Sequence, residues 1–484
     1  MTRPVEQLAA EAEAAFRAGR HAEAIATYRK LLATAPDRAN DWFNLALLLR
    51  RVRDFRGAID AYGEALSNGI SGPEEVLLNR AVILSEDLRE PEEALVDLER
   101  ALELAPHFVP ALLNLGNLYE DMGAREKAGR SYARALEIEP HNPLALARLA
   151  EVHRFASADD PLVENLRLEL AAQNDPAGAA DLGFALGRAL DQCGDYDDAF
   201  AAYEQANRAS AKLSGNSYDP TNAAAFIDRI IENFSDATDC GDYNAASPVF
   251  ICGMFRSGST LAERILASHN RMTAGGELDL IPAIVAAMPD FPEAAKNLSS
   301  ASLERFRQFY LSSLEQLHLD PAGLTDKRPD NFLYVGLIKR IFPNAKIVHT
   351  RRDKCDNCLS VYFAHLDPGL TYAHSISAAT HWYDQQERLF EHWKSLYPGD
   401  IFTLDYDALV VDPQPQVSRL LEFLGLDWDA ACMTPHTGSG IVRTASAWQV
   451  REPLHGRSSG RWRNYERFVA AEFGRAEERG GDGF

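Results

Sequence analysis

A short segment near the middle of the chain has the residue types and spacing of an anion-binding loop. The apolar run over residues 249–252 predicts a buried strand, which ends at Gly253. A second glycine, Gly258, closes a short loop, and apolar residues then recur at helical spacing. In such a strand–loop–helix unit, the backbone N–H groups of the loop and of the helix start converge on one point. The segment therefore predicts a binding site for a phosphate-like anion.

The residue types inside the loop narrow the class of anion. A nucleotide-hydrolysing loop has the pattern G-x-x-x-x-G-K-[ST], and here Ser259 stands at the lysine position after Gly258. The cation lies inside the loop instead, as Arg256. This arrangement disfavours an ATPase or a nucleotide kinase, because the cation for the β- and γ-phosphates is missing. An ordinary strand-to-helix turn is the alternative. The hydroxyl donors beside the arginine are Ser257, Ser259 and Thr260.

Residues 255–261, F-R-S-G-S-T-L, resemble the phosphosulfate-binding loop of sulfotransferases that use 3′-phosphoadenosine 5′-phosphosulfate (PAPS). The arginine-containing form is most similar to the protein-tyrosine sulfotransferase-like branch and to bacterial proteins that join tetratricopeptide repeats to a sulfotransferase domain. The resemblance implies PAPS as the sulfuryl donor and adenosine 3′,5′-bisphosphate as the product. The loop lacks the carboxylate–lysine arrangement of a Mg²⁺ site, so we expect activity without a metal.

The resemblance also implies three catalytic residues. Glu277 follows a pair of glycines and matches the general base, since an acceptor hydroxyl must lose its proton as it attacks in an in-line transfer. Lys327 matches the lysine beside the leaving-group oxygen, and Ser446 would face the sulfuryl group. The alternative for Glu277 is a glutamate at a helix N-terminus, stabilised by the helix dipole. The alternative for Lys327 is a solvated basic residue.

Further matches imply a nucleotide site built from separate parts of the chain. Arg352 follows an apolar run that predicts a strand, and Ser360 lies eight residues later on the next helix. An arginine at a strand end and a serine two helical turns away can reach one phosphate, which the resemblance identifies as the 3′-phosphate. The other residues that match positions near the nucleotide are Tyr406, Gln449 and Arg461.

Some positions depart from the pattern of the tyrosine-sulfating branch. Ala364 stands where those enzymes have a further nucleotide arginine, and Asp279 lies in an acidic and apolar segment after Glu277 instead of a cationic one. The acceptor therefore stays open: a protein, a peptide or a small molecule with a hydroxyl group. The alternative from another class is an adaptor, in which the repeats bind a partner and the nucleotide-binding domain is inactive.

The elements that must position these residues follow an α/β pattern. Buried strands are predicted at 249–252, 325–327, 345–350 and 401–404, with helices between them, one of them at 331–341. We therefore expect an α/β P-loop-like domain with a mostly parallel sheet and the nucleotide at the carboxyl ends of the strands.

The N-terminal part of the chain carries an internal repeat. Ala24, Ala58, Ala94 and Ala128 occupy equivalent positions with spacings of 34, 36 and 34 residues, close to the 34-residue tetratricopeptide period. The pattern resembles the tetratricopeptide family over about residues 5–213. It predicts an all-α superhelix in which small residues lie where paired helices cross. We expect its concave face to bind a protein or peptide. The alternative is a stabilising or dimer-forming appendage.

The expected domain limits follow from these patterns: repeats over 1–215, a linker over 216–245, the sulfotransferase domain over 246–470 and a disordered tail over 471–484. The net charge of −22 argues against nucleic acid or an anionic membrane as a partner. We expect no signal peptide and no membrane span. Six cysteines in 484 residues are too sparse for a disulfide framework, so we expect a cytoplasmic protein.

Overall fold

The computed structural model describes residues 2–237, 246–438 and 448–480. Packing divides the chain into two compact units, Met1–His153 and Arg154–Phe484. Within the described ranges, none of the helices is both long and apolar enough to span a bilayer.

The first unit consists of helices that pack in sequential pairs. Small residues lie where the helices cross: a Cβ at Gly116 would come within 2.3 Å of a Tyr132 ring carbon. The Tyr132 hydroxyl donates to Glu120 Oε1 at 2.6 Å, which satisfies the buried phenol. The repeated alanines are buried, and the expected tetratricopeptide architecture is confirmed. The helices are α1 (Thr2–Arg17), α2 (His21–Thr34), α3 (Ala39–Arg51), α4 (Phe55–Ser67), α5 (Pro73–Val82), α6 (Pro91–Leu104), α7 (Val109–Asp121), α8 (Arg125–Ile138) and α9 (Pro143–Val152).

The second unit begins with α10 (Pro161–Ala172), α11 (Pro176–Cys193), α12 (Tyr196–Ser214) and α13 (Pro220–Asn233). Helices α11 and α12 form a further repeat pair, in which Gly187 lies against the Tyr203 ring. The Tyr203 ring stacks on Phe363 with 4.0 Å between centroids, and Phe200 stacks on Phe468 at 4.3 Å. Because these rings anchor α12 to the rest of the unit, the packing boundary follows residue 153, whereas the repeat pattern extends to about residue 213.

Aspartate–proline pairs start the helices α10, α11 and α13. The carboxylates of Asp160, Asp175 and Asp219 each accept a hydrogen bond from a backbone N–H in the first turn of α10, α11 and α13. The proline that follows each aspartate has a φ suited to the first helical position and lacks an N–H that would be unpaired there. Helix α13 thus forms within the segment that was expected to be a linker.

The described strands form one parallel sheet. They are β1 (Val249–Gly253), β2 (Thr273–Ala274), β3 (Leu324–Lys327), β4 (Ile347–Arg351) and β5 (Ile401–Asp405), in the order β2–β3–β1–β4–β5. Ile251 of β1 lies opposite Lys327 of β3 on one side and opposite Val348 of β4 on the other. The loop after Gly253, the end of β3 and Arg352 therefore meet at the carboxyl edge of the sheet. The expected α/β domain with a parallel sheet is confirmed.

Two apolar clusters cover the opposite faces of the sheet. Phe250 and Ile251 point to opposite sides of β1, and each packs into a different cluster. The helices of this part are α14 (Ser259–Ala267), α15 (Leu280–Ala286), α16 (Glu293–Lys296), α17 (Ser300–Gln316), α18 (Val335–Ile341), α19 (Lys354–Tyr362), α20 (Ile376–Leu396), α21 (Tyr406–Val411), α22 (Pro413–Phe423) and α23 (Glu466–Gly480).

Some local predictions differ from the structure. The helix expected over 331–341 is divided into a 3₁₀ turn, Pro329–Tyr334, and α18. The Phe332 carbonyl in that turn accepts a hydrogen bond from Trp393 Nε1 at 2.9 Å. In a continuous helix, this carbonyl would accept from a backbone N–H of the next turn instead. Strand β4 begins at Ile347 instead of residue 345. Helix α23 spans Glu466–Gly480, and the disordered tail expected over 471–484 stays a prediction.

Candidate functional site

Close backbone contacts shape the loop after β1. A Cβ at Gly253 would come within 2.4 Å of the Thr350 carbonyl oxygen, and a Cβ at Gly258 within 2.6 Å of the Tyr406 ring. Gly258 also has a φ of 101°, which glycine alone adopts readily. Arg256 has a φ of 69°, in a left-handed region that costs a non-glycine residue about 1–2 kcal/mol. Backbone strain of this kind clusters at functional sites.

The Arg256 side chain joins two distant parts of the chain. Its Nε donates to Ser360 Oγ at 3.2 Å, and its Nη2 donates to Gln449 Oε1 at 3.1 Å. Ser360 lies on α19, and Gln449 lies on a 3₁₀ turn, Gln449–Arg451. Residues that the sequence analysis proposed separately as nucleotide ligands thus lie together.

Arg352 lies beside this group, directly after β4. Its Nη1 donates to the Arg256 carbonyl at 3.3 Å, and its Nη2 donates to the Ser458 carbonyl at 2.5 Å. Its guanidinium lies over the Tyr406 ring, 5.1 Å from the centroid, a favourable cation–π distance. Its Nε is buried and finds no hydrogen-bond partner in the described part of the chain. The geometry leaves Arg352 with an unused donor.

The guanidinium groups of Arg256, Arg352 and Arg461 concentrate positive charge beside the loop after β1. Burial, together with the neighbouring guanidiniums of Arg352 and Arg461, lowers the pKa of Arg256 to about 10. Like charges that are held together in a partly desolvated cleft are stabilised by a bound anion. The cluster therefore fits an anion with more than one charged group.

Glu277 and Lys327 are in direct contact. The buried Lys327 ammonium donates to Glu277 Oε1, and the Glu277 side chain is about one-third exposed. Helix α15 begins three residues after Glu277, with Asp279 at its N-cap position. Glu277 therefore does not start a helix, and Lys327 is its charged partner instead of a helix dipole.

A buried carboxylate on α14 fixes the backbone before Glu277. Glu263 Oε1 accepts from the Gly276 N–H at 2.8 Å and from Thr325 Oγ1 at 2.8 Å. The Gly276 carbonyl in turn accepts from the Lys327 N–H at 2.9 Å. The helix that follows the anion loop thus positions the segment that carries Glu277.

Most of the predicted site residues line one cleft at the carboxyl edge of the sheet. The cleft encloses about 1080 Å³, including space open to solvent. Apolar side chains such as Leu366 and Leu454 lie beside the charged groups, a mixture typical of small-molecule sites. The predicted residues in its lining are Arg256, Gly258, Ser259, Thr260, Glu277, Arg352, Ser360, Tyr406, Gln449 and Arg461.

The remaining predicted residues have other positions. Ser257 is buried, and its Oγ shares a hydrogen bond of 2.7 Å with Thr350 Oγ1, so this hydroxyl holds the loop to β4. Lys327 reaches the cleft through its contact with Glu277. Ser446 lies outside the described residues, and its role stays a prediction.

Two aspartates that the sequence analysis missed hold the C-terminal segment at the cleft. Asp356 accepts from the Gly460 N–H at 2.5 Å and from the Trp462 N–H at 2.8 Å, and burial raises its pKa. Asp407 accepts from the Ser459 hydroxyl at 2.5 Å. No spacing pattern could have identified them, because their partners lie far away in the sequence. Further lining residues that were missed include Leu366, Val410, Glu452, His455 and Ser458.

Known proteins resemble separate parts of this chain. The profile of the sulfotransferase family matches residues 248–430. Tetratricopeptide-repeat profiles match residues 11–38, 109–142 and 181–212. Among solved structures, the sulfotransferase domain of the Synechococcus PCC 7002 olefin synthase aligns with a TM-score of 0.34 and 20% identity, over 46% of this chain and 90% of that chain.

Curated relatives share part of the sequence. An uncharacterized protein of Aquifex aeolicus (strain VF5) is 34% identical over 308 residues, which cover 60% of this chain and 40% of that protein. Protein-tyrosine sulfotransferase A of Caenorhabditis elegans is 25% identical over 198 residues, which cover 39% of this chain and 52% of that protein. The chain thus spans about half the length of these relatives. The sequence matches show that the chain joins tetratricopeptide repeats to a domain of the sulfotransferase family.

Proposed function

We propose that this protein transfers a sulfuryl group from PAPS to an acceptor hydroxyl and releases adenosine 3′,5′-bisphosphate. The observation that carries the proposal is the convergence of Arg256, Arg352 and Ser360 in one cleft. The loop lacks the lysine of nucleotide-hydrolysing loops and holds an arginine between its two glycines. The family match over residues 248–430 supports the same chemistry.

The cleft residues fit a donor with negative charge at two places. The N–H groups of the loop, with Ser259 and Thr260 at the start of α14, would bind the 5′-phosphosulfate. Arg352, with its buried unused Nε, and Ser360 would bind the 3′-phosphate. Such a donor supplies an already activated sulfuryl group. The positive charge of Arg256 can then stabilise the negative charge of the transferring group, as Mg²⁺ does in kinases. We therefore propose that no metal is required.

Glu277 and Lys327 complete the proposed reaction site. Glu277 would accept the proton of the attacking hydroxyl, and Lys327 would offset negative charge at the leaving oxygen. Their contact holds both side chains at the same edge of the cleft before any substrate is bound. Catalytic groups that are already in position gain rate, because less ordering is needed in the transition state.

The acceptor is proposed by its chemistry, a hydroxyl group. Relatives named protein-tyrosine sulfotransferases make a tyrosine in a protein one candidate. A strongly acidic peptide fits less well, because Asp279 lies near Glu277 and is mostly exposed. We propose that the repeats bind the acceptor or another protein on their concave face. A cytoplasmic location fits the free cysteines of the described residues: Cys193, Cys252, Cys355, Cys358 and Cys432.

Calorimetry with adenosine 3′,5′-bisphosphate and 5′-AMP tests the donor assignment. The bisphosphate should bind more tightly by about 2–4 kcal/mol, because 5′-AMP lacks the group that makes charge-assisted contacts. Ser360→Ala should narrow this difference. Equal affinities of the two nucleotides for the wild type would contradict the assignment.

Turnover separates the proposal from its alternatives. PAPS should support transfer to at least one hydroxyl acceptor in a screen of phenols, tyrosine peptides and sugars, and EDTA should not stop it. Tight binding of the bisphosphate without transfer to any of these acceptors would favour the inactive adaptor. Activity that EDTA abolishes and Mg²⁺ restores would indicate a kinase.

A further inference from the structure

One carboxylate connects the last repeat to the wall of the cleft. Asp191, on α11, accepts a hydrogen bond from Arg461 Nη2 at 2.5 Å through Oδ2, and one from the Tyr465 hydroxyl at 2.5 Å through Oδ1. Both donors belong to the 3₁₀ turn Arg461–Tyr465, and Arg461 lines the cleft. Asp191 therefore ties the repeat helix to a residue of the proposed donor site.

A second restraint on the Arg461 guanidinium leads back to the same repeat. Its Cζ lies 5.6 Å from the centroid of the Phe363 ring. Phe363 in turn stacks on Tyr203 of α12, with 4.0 Å between centroids and 12° between planes. The Arg461 guanidinium is thus held by the Asp191 carboxylate and by the Phe363 ring, which packs against α12.

The charges in this region are coupled. Burial lowers the pKa of Arg461, but its interactions with Asp191, Tyr203 and Tyr465 together hold that pKa above the ordinary arginine value. The pKa of Arg256 is lowered by burial first and then by the charges of Arg352 and Arg461. Arg461 is therefore close enough to act on the loop arginine. An arginine has five N–H donors, so the contact with Asp191 occupies only part of its fork.

We propose that Asp191 is a positioning residue of the donor site, which orients Arg461 toward the bound nucleotide. The last tetratricopeptide repeat is then part of the binding machinery as well as a protein-recognition module. The inference rests on the proposed function, since it requires that the cleft binds a PAPS-type nucleotide. Asp191 acts through Arg461 and does not itself touch the donor.

A double-mutant cycle on the full chain tests this role, with adenosine 3′,5′-bisphosphate as the calorimetric probe. Asp191→Asn should weaken binding about tenfold, because the ion pair that orients Arg461 becomes a weaker hydrogen bond from the guanidinium to a neutral amide oxygen. In an Arg461→Met background, the same substitution should have little further effect on affinity. A residue that only supports the fold would lower the melting temperature and leave the affinity unchanged.

Two control variants test whether a loss of affinity comes from the position of Asp191. One controls for the loss of a negative charge, and the other for a loss of stability. Asp197→Asn removes the same charge from α12, where Asp197 pairs with Arg467 on α23 outside the lining of the cleft, and affinity should stay unchanged. Tyr465→Phe removes the other partner of Asp191 and keeps the ion pair. It should lower the melting temperature and leave affinity nearly unchanged.

The outcomes distinguish this inference from the proposed function. The inference is overturned if Asp191→Asn binds adenosine 3′,5′-bisphosphate as tightly as the wild type does. It is also overturned if Asp191→Asn loses the same affinity with Arg461 present as with Met at that position. In either case, binding of the bisphosphate by the wild type still supports the proposed donor site. Absence of binding by the wild type overturns both. If Asp191→Asn fails to fold, Arg461→Lys keeps the charge and loses the fork that matches the carboxylate. Unchanged affinity in that variant also overturns the inference.

Discussion

Lys327 donates from its ammonium group to the carboxylate of Glu277 at the carboxyl edge of the sheet. The Lys327 side chain is 1% exposed and the Glu277 side chain 35% exposed. The lysine is thus fixed by the protein, and the carboxylate that neutralises it faces the cleft. A buried ammonium without a partner is strongly unfavourable, so each residue holds the other in place at the proposed reaction site.

The effect of Glu277→Gln on rate and affinity should show whether Glu277 is a catalytic base or only a structural residue. If Glu277 is the base, the rate of sulfuryl transfer should fall by roughly 10²–10⁴, the usual contribution of positioned proton transfer. Affinity for adenosine 3′,5′-bisphosphate should stay within a few-fold, because the shape is nearly unchanged. Initial rates and calorimetry on the same preparation provide the two measurements.

Asp279→Asn is the matched control for that variant. It removes one charge from a nearby exposed carboxylate that contacts Arg328, and the rate should be nearly unchanged. A rate in Glu277→Gln close to that of the wild type, with only a lower melting temperature, would show that Glu277 serves the Lys327 contact and not proton transfer.

Gly258→Ala should abolish donor binding. The new methyl group would meet the Tyr406 ring at 2.6 Å, and the backbone φ of 101° disfavours alanine. Because Tyr406 also lies under the Arg352 guanidinium, its displacement should disturb the proposed 3′-phosphate site. Gly425→Ala is the control: its φ is 67°, but nothing lies within 4 Å of the added Cβ. A similar loss of affinity in both variants would mean that backbone strain alone is responsible.

Two N-terminal truncations should show which repeats the nucleotide-binding unit needs for binding and solubility. Removal of residues 1–153 follows the packing boundary and should leave binding of adenosine 3′,5′-bisphosphate intact. Removal up to residue 213, the end of the repeat pattern, also deletes Asp191 and the aromatic rings that stack on Phe363 and Phe468. That protein should bind weakly or aggregate. Equal binding and solubility of the two truncated proteins would contradict the packing seen here.

Stability should fall in mild acid because of His349. This side chain is fully buried on β4, and burial lowers its pKa below the ordinary 6.5 despite its contact with Glu387. The unfolded chain therefore binds the proton more readily. The histidine's contribution to the free energy of unfolding is complete above pH 6.5 and is lost as the pH falls below that value.

Melting temperatures at about pH 7 and about pH 5 measure this effect. The decrease should be smaller in His349→Gln than in the wild type, because glutamine takes up no proton in this range. Substitution of the exposed His107 by glutamine should leave the decrease as in the wild type. Identical decreases in all three proteins would show that other groups control the acid response.

The sequence alone determined the features that depend on local pattern. Gly253, Arg256 and Gly258 stand within one short loop, and their types specify its backbone and its charge. The repeated alanines follow a helical period, because each buries the same face of a similar helix pair. The parallel sheet follows from the alternation of buried strands and helices. These features need no knowledge of how distant segments pack.

Tertiary structure decided which distant residues act together. Asp191 and Arg461 are separated by 270 positions, and no periodicity relates them. Asp356 and Asp407 bind the C-terminal segment through backbone N–H groups and a serine hydroxyl, partners that leave no signature in the sequence. The packing boundary follows residue 153, before the end of the repeats, because rings on α12 pack against α19 and its neighbours. Such contacts depend on the packing of whole elements, which local pattern does not encode.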